Sequence, residues 1–498
     1  MLIACFFFLY QASAQNEIDA LRYSMINYGS TARSLGMGNA FGALGADLSV
    51  MATNPAGIAL FRRSEFSFSP TFTMRSTNSN FLGTSTHDSK FNFNFGNFGA
   101  VWHWNQRDEK SDWKGWSFGI NYNRLNDFGN NSTAQGLNRS NSLLDSYVEQ
   151  ANNNLDTNLV NLFPFDVNLA YQTYLLNATD SPAMHYASVI PHGGESQKRI
   201  AETRGGQGEW DFSYGTNYMD KLYFGVTLGL TTLTYHEDVT WDEKDEKDTI
   251  VTPDSSFDFK SFRLTQSLRT SGSGVNGKFG VIYRPNDALR LGLAIHTPTA
   301  YTLSDEYATH IGAKFSNTPY PDQDFSSPNF IPFDYKVVTP FHVIASIATI
   351  IGKQGLVSAE YEYTDYSQAY IKIVKDQGLD NYSFDEINST IKSTYTASHT
   401  IRAGGEYRYH QLRLRLGGSY STTPFAGGYN ADSKTNQSRY SVTGGIGFRG
   451  DNFYFDAGYA YSRQGSFIRP YTLSNATQPG ITESTMDNRL MMTLGFNF

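Results

Sequence analysis

Apolar and polar residues alternate strictly in many segments of this chain, and this pattern limits its fold more than any other feature. Near the C-terminus, Phe453 and Phe455 would share one face of a strand, opposite Asp456. A period of two is typical of a β-strand whose two faces meet different environments. Because such segments recur from Glu65 to the end of the chain, the sequence predicts an all-β protein.

The predicted strands are joined by connections that alternate between short turns and long loops. The turn at Gly450-Asp451 is short, whereas the connection at 127–208 is the longest. Short turns at one rim and long extracellular loops at the other are typical of transmembrane barrels. The sequence therefore predicts a transmembrane antiparallel β-barrel of about fourteen strands. We place these strands near 65–74, 90–104, 115–126, 209–218, 221–235, 258–284, 288–298, 335–351, 355–366, 396–409, 411–421, 437–449, 452–464 and 486–498.

The composition supports a membrane barrel and argues against other classes of protein. Charged residues make up 17% of the chain and aromatic residues 15%, whereas a typical soluble domain is roughly 25% charged. Aromatic side chains form interfacial girdles in outer-membrane barrels. A net charge of -8 provides no basic surface for nucleic acid. Beyond the first ten residues, no apolar run approaches the roughly 18 to 20 residues of a membrane-spanning helix.

The first residues have the pattern of an export signal. An apolar run from Leu2 to Tyr10 is followed by Ala12-Ser13-Ala14, the small-residue pattern that precedes a signal-peptidase cleavage site. Because no Lys or Arg precedes this run, we expect residues 1–14 to be a signal peptide that is truncated at its start. The single cysteine, Cys5, would leave with it, and the mature chain would form no disulfide.

A segment of different character, residues 15–62, precedes the first predicted strand. It contains Gly36 and Gly38, which permit tight turns, and Asn54-Pro55-Ala56-Gly57, which predicts a sharp reversal of the chain. The segment is too apolar to be a tail exposed to water. We therefore expect 15–62 to form a compact N-terminal hatch, or plug, inside the lumen of a barrel built from 63–498.

These motifs resemble those of a known family. Gly36-Met37-Gly38-Asn39-Ala40-Phe41 is followed by Asn54-Pro55-Ala56-Gly57 and then by the strands, and further similarity lies in 290–307, 358–366 and 451–461. In these segments the chain is similar to the long-chain fatty acid transporter (FadL/TodX) family of outer membrane proteins. The resemblance implies a monomeric barrel with Asn54, Pro55, Ala56 and Gly57 as the hatch turn and Gly36 and Gly38 as hatch glycines.

The resemblance also implies a route for a hydrophobic ligand. In this family the ligand lands on external loops, passes to an apolar pocket and leaves sideways or downward once the hatch shifts. The sideways exit depends on an inward kink in the third strand, for which Gly119 is the candidate in this chain.

The long connection at 127–208 contains apolar residues that are spaced partly at helical intervals. In one interpretation, one or two amphipathic helices form a landing site for a lipid-like ligand. In the other, the helices pack on each other and cap the barrel. The residues concerned are Leu143, Leu144, Tyr147, Val148, Leu159, Leu162 and Phe163.

Charged residues alternate onto the predicted inward faces of three consecutive strands. Neighbouring strands lie under ~5 Å apart, so opposite charges can pair inside the lumen. We favour a structural ladder of ion pairs over a site that binds a carboxylate ligand. The residues are Glu360, Glu362, Arg402, Glu406, Arg408, Arg413 and Arg415.

The sequence shows no motif for catalysis or for metal or cofactor binding. It contains no Gly-x-Ser-x-Gly elbow and no phosphate-binding loop, and none of its histidines has metal-ligand spacing. We therefore expect no catalytic residue, no metal, no cofactor and no enzyme activity.

Phe496 and Phe498 end the last strand on its apolar face, where we expect the barrel-assembly machinery to recognise them.

Two functions from different classes follow from these observations. The first is a channel in the outer membrane of a Gram-negative bacterium for passive uptake of small hydrophobic molecules, either long-chain fatty acids or aromatic hydrocarbons. The second is a non-transporting barrel that serves as a docking component in protein secretion or surface assembly. A lipase-like enzyme would need a Ser-His-Asp/Glu set that the sequence does not show. The expected partners are outer-membrane lipid, a hydrophobic ligand and the assembly machinery, with no nucleic acid and no second copy of the chain.

Overall fold

The computed structural model describes residues 16–106, 108, 110–246, 258–316, 321–328, 332–374, 383–427, 435–474, 476 and 478–498. The expected signal peptide at 1–14 lies outside the described residues. Within them the α-helices are α1 (Glu17–Ser24), α2 (Ala32–Gly36), α3 (Leu143–Ala151), α4 (Asp156–Leu162), α5 (Val167–Gln172) and α6 (Asp385–Thr394), and short 3-10 helices span Leu48–Met51, Pro55–Leu60 and Tyr366–Gln368.

The strands of the described residues are, in chain order, β1 (Glu65–Phe81), β2 (Thr84–Asn105), β3 (Trp113–Asp127), β4 (Asn130–Asn138), β5 (Leu176–Ala178), β6 (Tyr186–Ser188), β7 (Glu195–Tyr218), β8 (Leu222–Asp245), β9 (Asp258–Tyr283), β10 (Leu289–His296), β11 (Ala300–Ser316), β12 (Asp322–Ser326), β13 (Phe333–Val338), β14 (His342–Ile351), β15 (Gly355–Asp365), β16 (Tyr370–Ile373), β17 (Ala397–Tyr409), β18 (Leu412–Ser421), β19 (Arg439–Arg449), β20 (Phe453–Ile468) and β21 (Ile481–Asn497).

All of these strands except β5 and β6 belong to one antiparallel sheet that closes into a barrel, and β5 and β6 pair with each other in a separate sheet. The last strand returns to the first, with Glu65 opposite Asn497 and Asn80 opposite Thr482. Four strands of the barrel wall are each interrupted and consist of two consecutive segments. These pairs of segments are β3 with β4, β10 with β11, β13 with β14, and β15 with β16. The barrel then has fourteen strands, as predicted. Closure pairs the backbone groups of neighbouring strands over most of the wall.

The alternation of residues matches the two faces of the wall. On β18, Leu414 and Leu416 are exposed on the outside, whereas Arg415 between them is buried. On β20, Phe453 and Phe455 are exposed and Asp456 is buried. The apolar sides of these strands thus face outward and their charged sides face the lumen. Among the described residues, no helix has the length and apolar character needed to cross a membrane.

The strands extend farther toward the long-loop rim than the alternation predicts. β1 continues to Phe81 and turns directly into β2, and β11 lies within the predicted loop at 299–334. In the outer part of β1, polar residues such as Ser76, Asn78 and Asn80 replace the apolar side, so the period-two pattern fades while backbone pairing continues. The alternation therefore predicts the part of each strand that carries the apolar band, but not the polar part that extends toward the long-loop rim.

Candidate functional site

The N-terminal segment lies inside the barrel and packs against its wall at glycines. A Cβ atom on Gly225 would lie 2.2 Å from the carbonyl carbon and oxygen of Pro55, and one on Gly404 would lie 2.2 Å from the Met37 oxygen. At Gly417 the Met37 carbonyl carbon would be 2.4 Å away. Wall glycines thus let the inner segment approach the barrel backbone directly. We use the term hatch for this segment, described from residue 16 to residue 62.

The predicted hatch turn begins a 3-10 helix. Asn54 precedes the helix Pro55–Leu60, and its side-chain oxygen accepts a hydrogen bond from the Ala56 amide at 3.1 Å. The same side chain donates to the Gly42 carbonyl at 2.6 Å. Gly57 in turn accepts from the Ala46 amide at 3.0 Å. Asn54 therefore holds two segments of the hatch together, which explains why an Asn precedes the proline.

The two hatch glycines occupy positions where a larger side chain would not fit. Gly36 ends α2, and a Cβ on it would lie 3.2 Å from the Cα of Gly445. Gly38 has a φ of +65°, in the left-handed region that favours glycine, and a Cβ there would lie 2.7 Å from the backbone of Gly418. These two positions fix the hatch against β18 and β19.

The wall separates between β2 and β3, and the hatch fills the separation. Hydrogen-bonded pairing of these strands runs from Asn105 to Asn97 on β2 and stops there in the described residues. The Asn27 amide of the hatch donates to the Leu125 carbonyl on β3 at 2.8 Å. A Cβ on Gly29 would lie 2.3 Å from the Gly96 oxygen. The hatch backbone thus takes the place of a strand partner at this point of the wall.

The irregularity of β3 is not at Gly119. That residue pairs regularly with Val101 on β2 and Ser213 on β7, and it faces Met51 of the hatch. The register along β7 shifts instead between Arg124 and Asn126. The prediction of a kink at Gly119 is wrong, because glycine there serves close contact with the hatch rather than a bend.

Three of the predicted lumen charges meet at the hatch. Arg402 donates to Glu360 at 2.8 Å and to Glu362 at 2.5 Å, and all three side chains are nearly or fully buried. Glu360 also accepts from the Gly42 amide at 2.8 Å, and the Tyr28 hydroxyl donates to Glu362 at 3.3 Å. This cluster therefore joins the wall to the hatch.

A second ion-pair cluster lies nearer the short-turn rim. Arg415 donates to Glu406 and to Asp456, each at 2.6 Å, and Arg449 also donates to Asp456 at 2.9 Å. Arg33 of the hatch lies 3.4 Å from Glu406. These contacts support a structural role for the charges.

Arg408 and Arg413 do not join either of these clusters. Arg408 is exposed, and Arg413 donates to the backbone carbonyls of His410 and Leu412 at the turn between β17 and β18. Alternation places both on the inward face, but both lie at the rim, where the lumen opens. The ladder thus ends three residues from the rim end of each strand, at Glu406 on β17 and at Arg415 on β18.

Sequence reasoning missed a third buried cluster. Lys278 on β9 donates to Glu209 and to Asp211 on β7, the latter at 2.7 Å. Asn276 donates to Glu209 and Asn123 to Asp211, both at 2.6 Å. The only sequence signal is a lysine at an inward position of a long strand, and its partners lie two strands away.

Helix α1 fills the part of the lumen nearest the long loops. Its residues Leu21 and Tyr23 pack with Tyr235, Tyr335 and Ile391 in one buried apolar cluster. Because α6 and the outer parts of β8 and β13 supply these partners, the apolar space is occupied by the chain itself. A ligand that enters the lumen from the long-loop side would have to pass α1.

The docking of α1 should weaken as the pH rises. Asp19 on α1 is buried, and desolvation raises its pKa to about 7 despite the opposing charge of Arg22 at 2.5 Å. Since the ordinary pKa is 3.8, the undocked carboxyl binds its proton more weakly than the docked one. The contribution of the Asp19 carboxyl to the docking of α1 is complete below about pH 4 and is lost as the pH rises through about 7.

This pH dependence can be measured by hydrogen exchange of the α1 amides. After correction for intrinsic exchange rates, we expect higher protection at pH 5 than at pH 8 in the wild-type chain. The variant Asp19→Asn should show the same protection at both values. Equal protection of the wild-type helix at pH 5 and pH 8 would contradict the expected docking.

The predicted landing-loop residues lie in and around the helices α3 and α4. Leu143, Leu144, Tyr147 and Leu159 are buried in one cluster, and Val148 and Phe163 pack against it. Leu162 is half-buried at the end of α4. The helices therefore pack on each other and on the outer strands, as the cap interpretation predicts.

A cavity of about 230 Å³ remains beneath this cap. Aromatic and aliphatic side chains form most of its wall, and Asp166 and Arg199 contribute the charged groups. Burial raises the pKa of Asp166 to about 6. The apolar side chains that line it are Leu143, Tyr147, Phe165, Val239, Trp241, Leu264, Tyr307 and Tyr471.

Within the described part of the chain, no group of three or more His, Cys, Asp or Glu side chains is arranged to hold a metal ion.

Phe496 and Phe498 are exposed on the outer face at the end of β21. Their recognition during assembly stays a prediction.

Comparison with known proteins finds likeness in structure alone. No family model and no curated protein matches the sequence. A FadL homologue from Pseudomonas aeruginosa aligns over 95% of this chain and 99% of its own, with a TM-score of 0.56 and 13% identity. The toluene transporter TodX from Pseudomonas putida aligns over 95% and 100%, with a TM-score of 0.51 and 13% identity. The chain therefore has the fold of the FadL and TodX outer-membrane barrels, as its motifs predict.

Proposed function

We propose that this protein is an outer-membrane channel for the passive uptake of small hydrophobic molecules. The observation that carries the proposal is the separation of β2 from β3, where Asn27 and Gly29 of the hatch take the place of strand pairing. A barrel with no function in transport would gain stability by pairing these strands throughout. A hatch held there can shift and open the wall toward the membrane.

The outer-membrane location is supported by the exposed apolar face. The side chains of Phe93, Leu228 and Ile446, for example, are more than half exposed in the isolated chain. In water this face would be an exposed apolar patch far larger than soluble monomers carry. Lipid would cover it, and a single closed barrel needs no partner chain.

We infer that three features form a route from the outside to the membrane. The aromatic cavity beneath the cap is the first, and the apolar cluster around α1 is the second. The separation between β2 and β3 is the third. Partitioning alone can drive movement along this route, since burial of each CH₂ group contributes roughly 0.8 kcal/mol.

The proposal is tested by locking the hatch to the wall. The Asn27 side chain donates to that of Asn126 on β3 at 3.3 Å, so cysteines at both positions are close enough to attempt a disulfide. Cys5 is the only native cysteine, so in a Cys5→Ala background the pair Asn27→Cys/Asn126→Cys is the only one that can form within the chain. We expect oxidised cells to lose uptake of oleate and toluene, and a reductant to restore it.

Each single cysteine variant serves as a matched control and should transport like the wild type under both conditions. A second control is a cysteine pair at the turn between β7 and β8, Asn217→Cys/Asp220→Cys, whose native side chains lie 2.7 Å apart; this pair should have no effect on uptake. Uptake that continues in the oxidised double variant, with the cross-link confirmed by mass spectrometry, would exclude an exit between β2 and β3.

One observation favours a second candidate, a docking barrel in protein secretion or surface assembly. The two large apolar clusters inside and above the lumen are filled by side chains of α1, α3 and α5. Lipid extraction from protein purified in mild detergent separates the two candidates. A hydrophobic guest that co-purifies supports transport, whereas a consistently empty barrel supports docking.

A further inference from the structure

A polar cavity lies between the hatch and one side of the barrel wall. Its volume is about 120 Å³, and Met25–Tyr28 form part of its hatch side. Short hydroxyl side chains on consecutive strands leave this space open, where longer side chains would fill it. On the wall side these are Ser398, Thr400, Ser419, Ser421, Ser441 and Ser462.

Two arginines of this cavity have no carboxylate partner. Arg439 on β19 and Arg489 on β21 flank β20, and neither forms an ion pair with any residue in the described ranges. The Ser462 hydroxyl, 3.5 Å away, is the side-chain contact of Arg439. Asp487, the nearby carboxylate, already binds Arg75 through both oxygens at 2.7 and 3.0 Å.

These two arginines also connect the cavity to its neighbours. Arg439 lines a second cavity of about 320 Å³, and Arg489 lines a third of about 20 Å³ beside Gly29 and Gly96. A molecule in the first cavity would contact Asn27, one of the hatch residues that fill the separation between β2 and β3. Such a molecule could bias the position of the hatch.

We propose that Arg439 and Arg489 bind a small hydrophilic oxyanion, a hydroxylated carboxylate of the kind found in sugar acids. A guanidinium group binds a carboxylate through two parallel hydrogen bonds, and the serine and threonine hydroxyls can donate to or accept from ligand hydroxyls. A hydrocarbon here would leave these polar groups without partners, at a cost in free energy. This site goes beyond the proposed function, since its ligand differs in class from the transported molecule.

The proposal is tested by calorimetric titration of the full chain in uncharged detergent at low salt. The probes are gluconate, inorganic phosphate and decanoate. We expect saturable binding of gluconate, weakened at least about tenfold in Arg439→Gln/Arg489→Gln because charge-assisted hydrogen bonds are lost. Arg408→Gln, an exposed arginine on β17, is the matched control and should bind like the wild type.

Folding of each variant is checked by the heat-dependent mobility of the barrel in gel electrophoresis. If the double variant does not fold, the two single variants are titrated, and each should bind gluconate more weakly than Arg408→Gln. Gluconate that does not saturate, or that binds the arginine variants as tightly as the wild type, would overturn the site. Phosphate binding as tight as gluconate, or decanoate binding tighter, would overturn the hydroxylated class of ligand.

Discussion

Replacement of Lys278 by methionine is expected to destabilise the barrel by about 3–5 kcal/mol. Its side chain is 4% exposed, and the side chains of its partners Glu209 and Asp211 are 1% and 0% exposed. Removal of the cation leaves two buried carboxylates, each with one amide donor and no opposite charge. Repulsion between them adds to the cost, because they lie on the same face of β7.

Urea-induced unfolding of the refolded barrel in vesicles measures this effect. Arg263→Met is the matched control, since Arg263 is 65% exposed and its pair with Asp242 should contribute at most about 1 kcal/mol. Neutralising both carboxylates in Glu209→Gln/Asp211→Asn/Lys278→Met should recover much of the lost stability. A change below about 1 kcal/mol in Lys278→Met would show that water reaches the cluster and screens it.

The fold could be predicted from the sequence because alternate residues of a strand face lipid and the lumen, and lipid requires apolar side chains whereas the lumen accepts polar ones. The segment at 411–421 and strand β18 differ by one residue at the start, and the segment at 258–284 and β9 by one residue at the end. Where the outward side of a strand is polar, as at Ser76, Asn78 and Asn80 of β1, the alternation of apolar and polar residues disappears and the prediction fails.

The candidate site was less predictable, because its contacts join residues far apart in the chain. Asn54 could be identified from its local pattern, since it caps the helix that follows it. The pairing of Asn27 with Leu125 is a backbone contact and leaves no trace in residue type. Lys278 and Glu209 are separated by β8, so only the closed barrel shows them together.

A hatch inside the lumen could be predicted from the apolar character of residues 15–62, but its contacts with the wall could not. The wall glycines are the sequence feature that locates these contacts. Gly225, Gly404 and Gly417 stand at inward positions on separate strands, and each meets the hatch backbone. A glycine on the inward face of a barrel strand, opposite a glycine-rich N-terminal segment, is therefore a signal for a docked hatch.

Deletion of residues 16–62 is expected to convert the closed barrel into an open pore. Fourteen strands lie between small barrels that side chains fill and the 16- to 18-stranded porins that hold an aqueous channel. Planar-bilayer recordings should show a steady open current for the deletion variant and almost none for the wild type.

A point substitution tests the same claim with the hatch present. The Cβ atom of Gly225→Leu would lie 2.2 Å from Pro55, so the hatch must move away from β8. We expect cells with this variant to become sensitive to vancomycin, which an intact outer membrane excludes. Gly277→Ala is the matched control, because its nearest atoms lie 3.8 Å from the added Cβ. Closed recordings from a folded deletion variant would show that the loops, and not the hatch, seal the barrel.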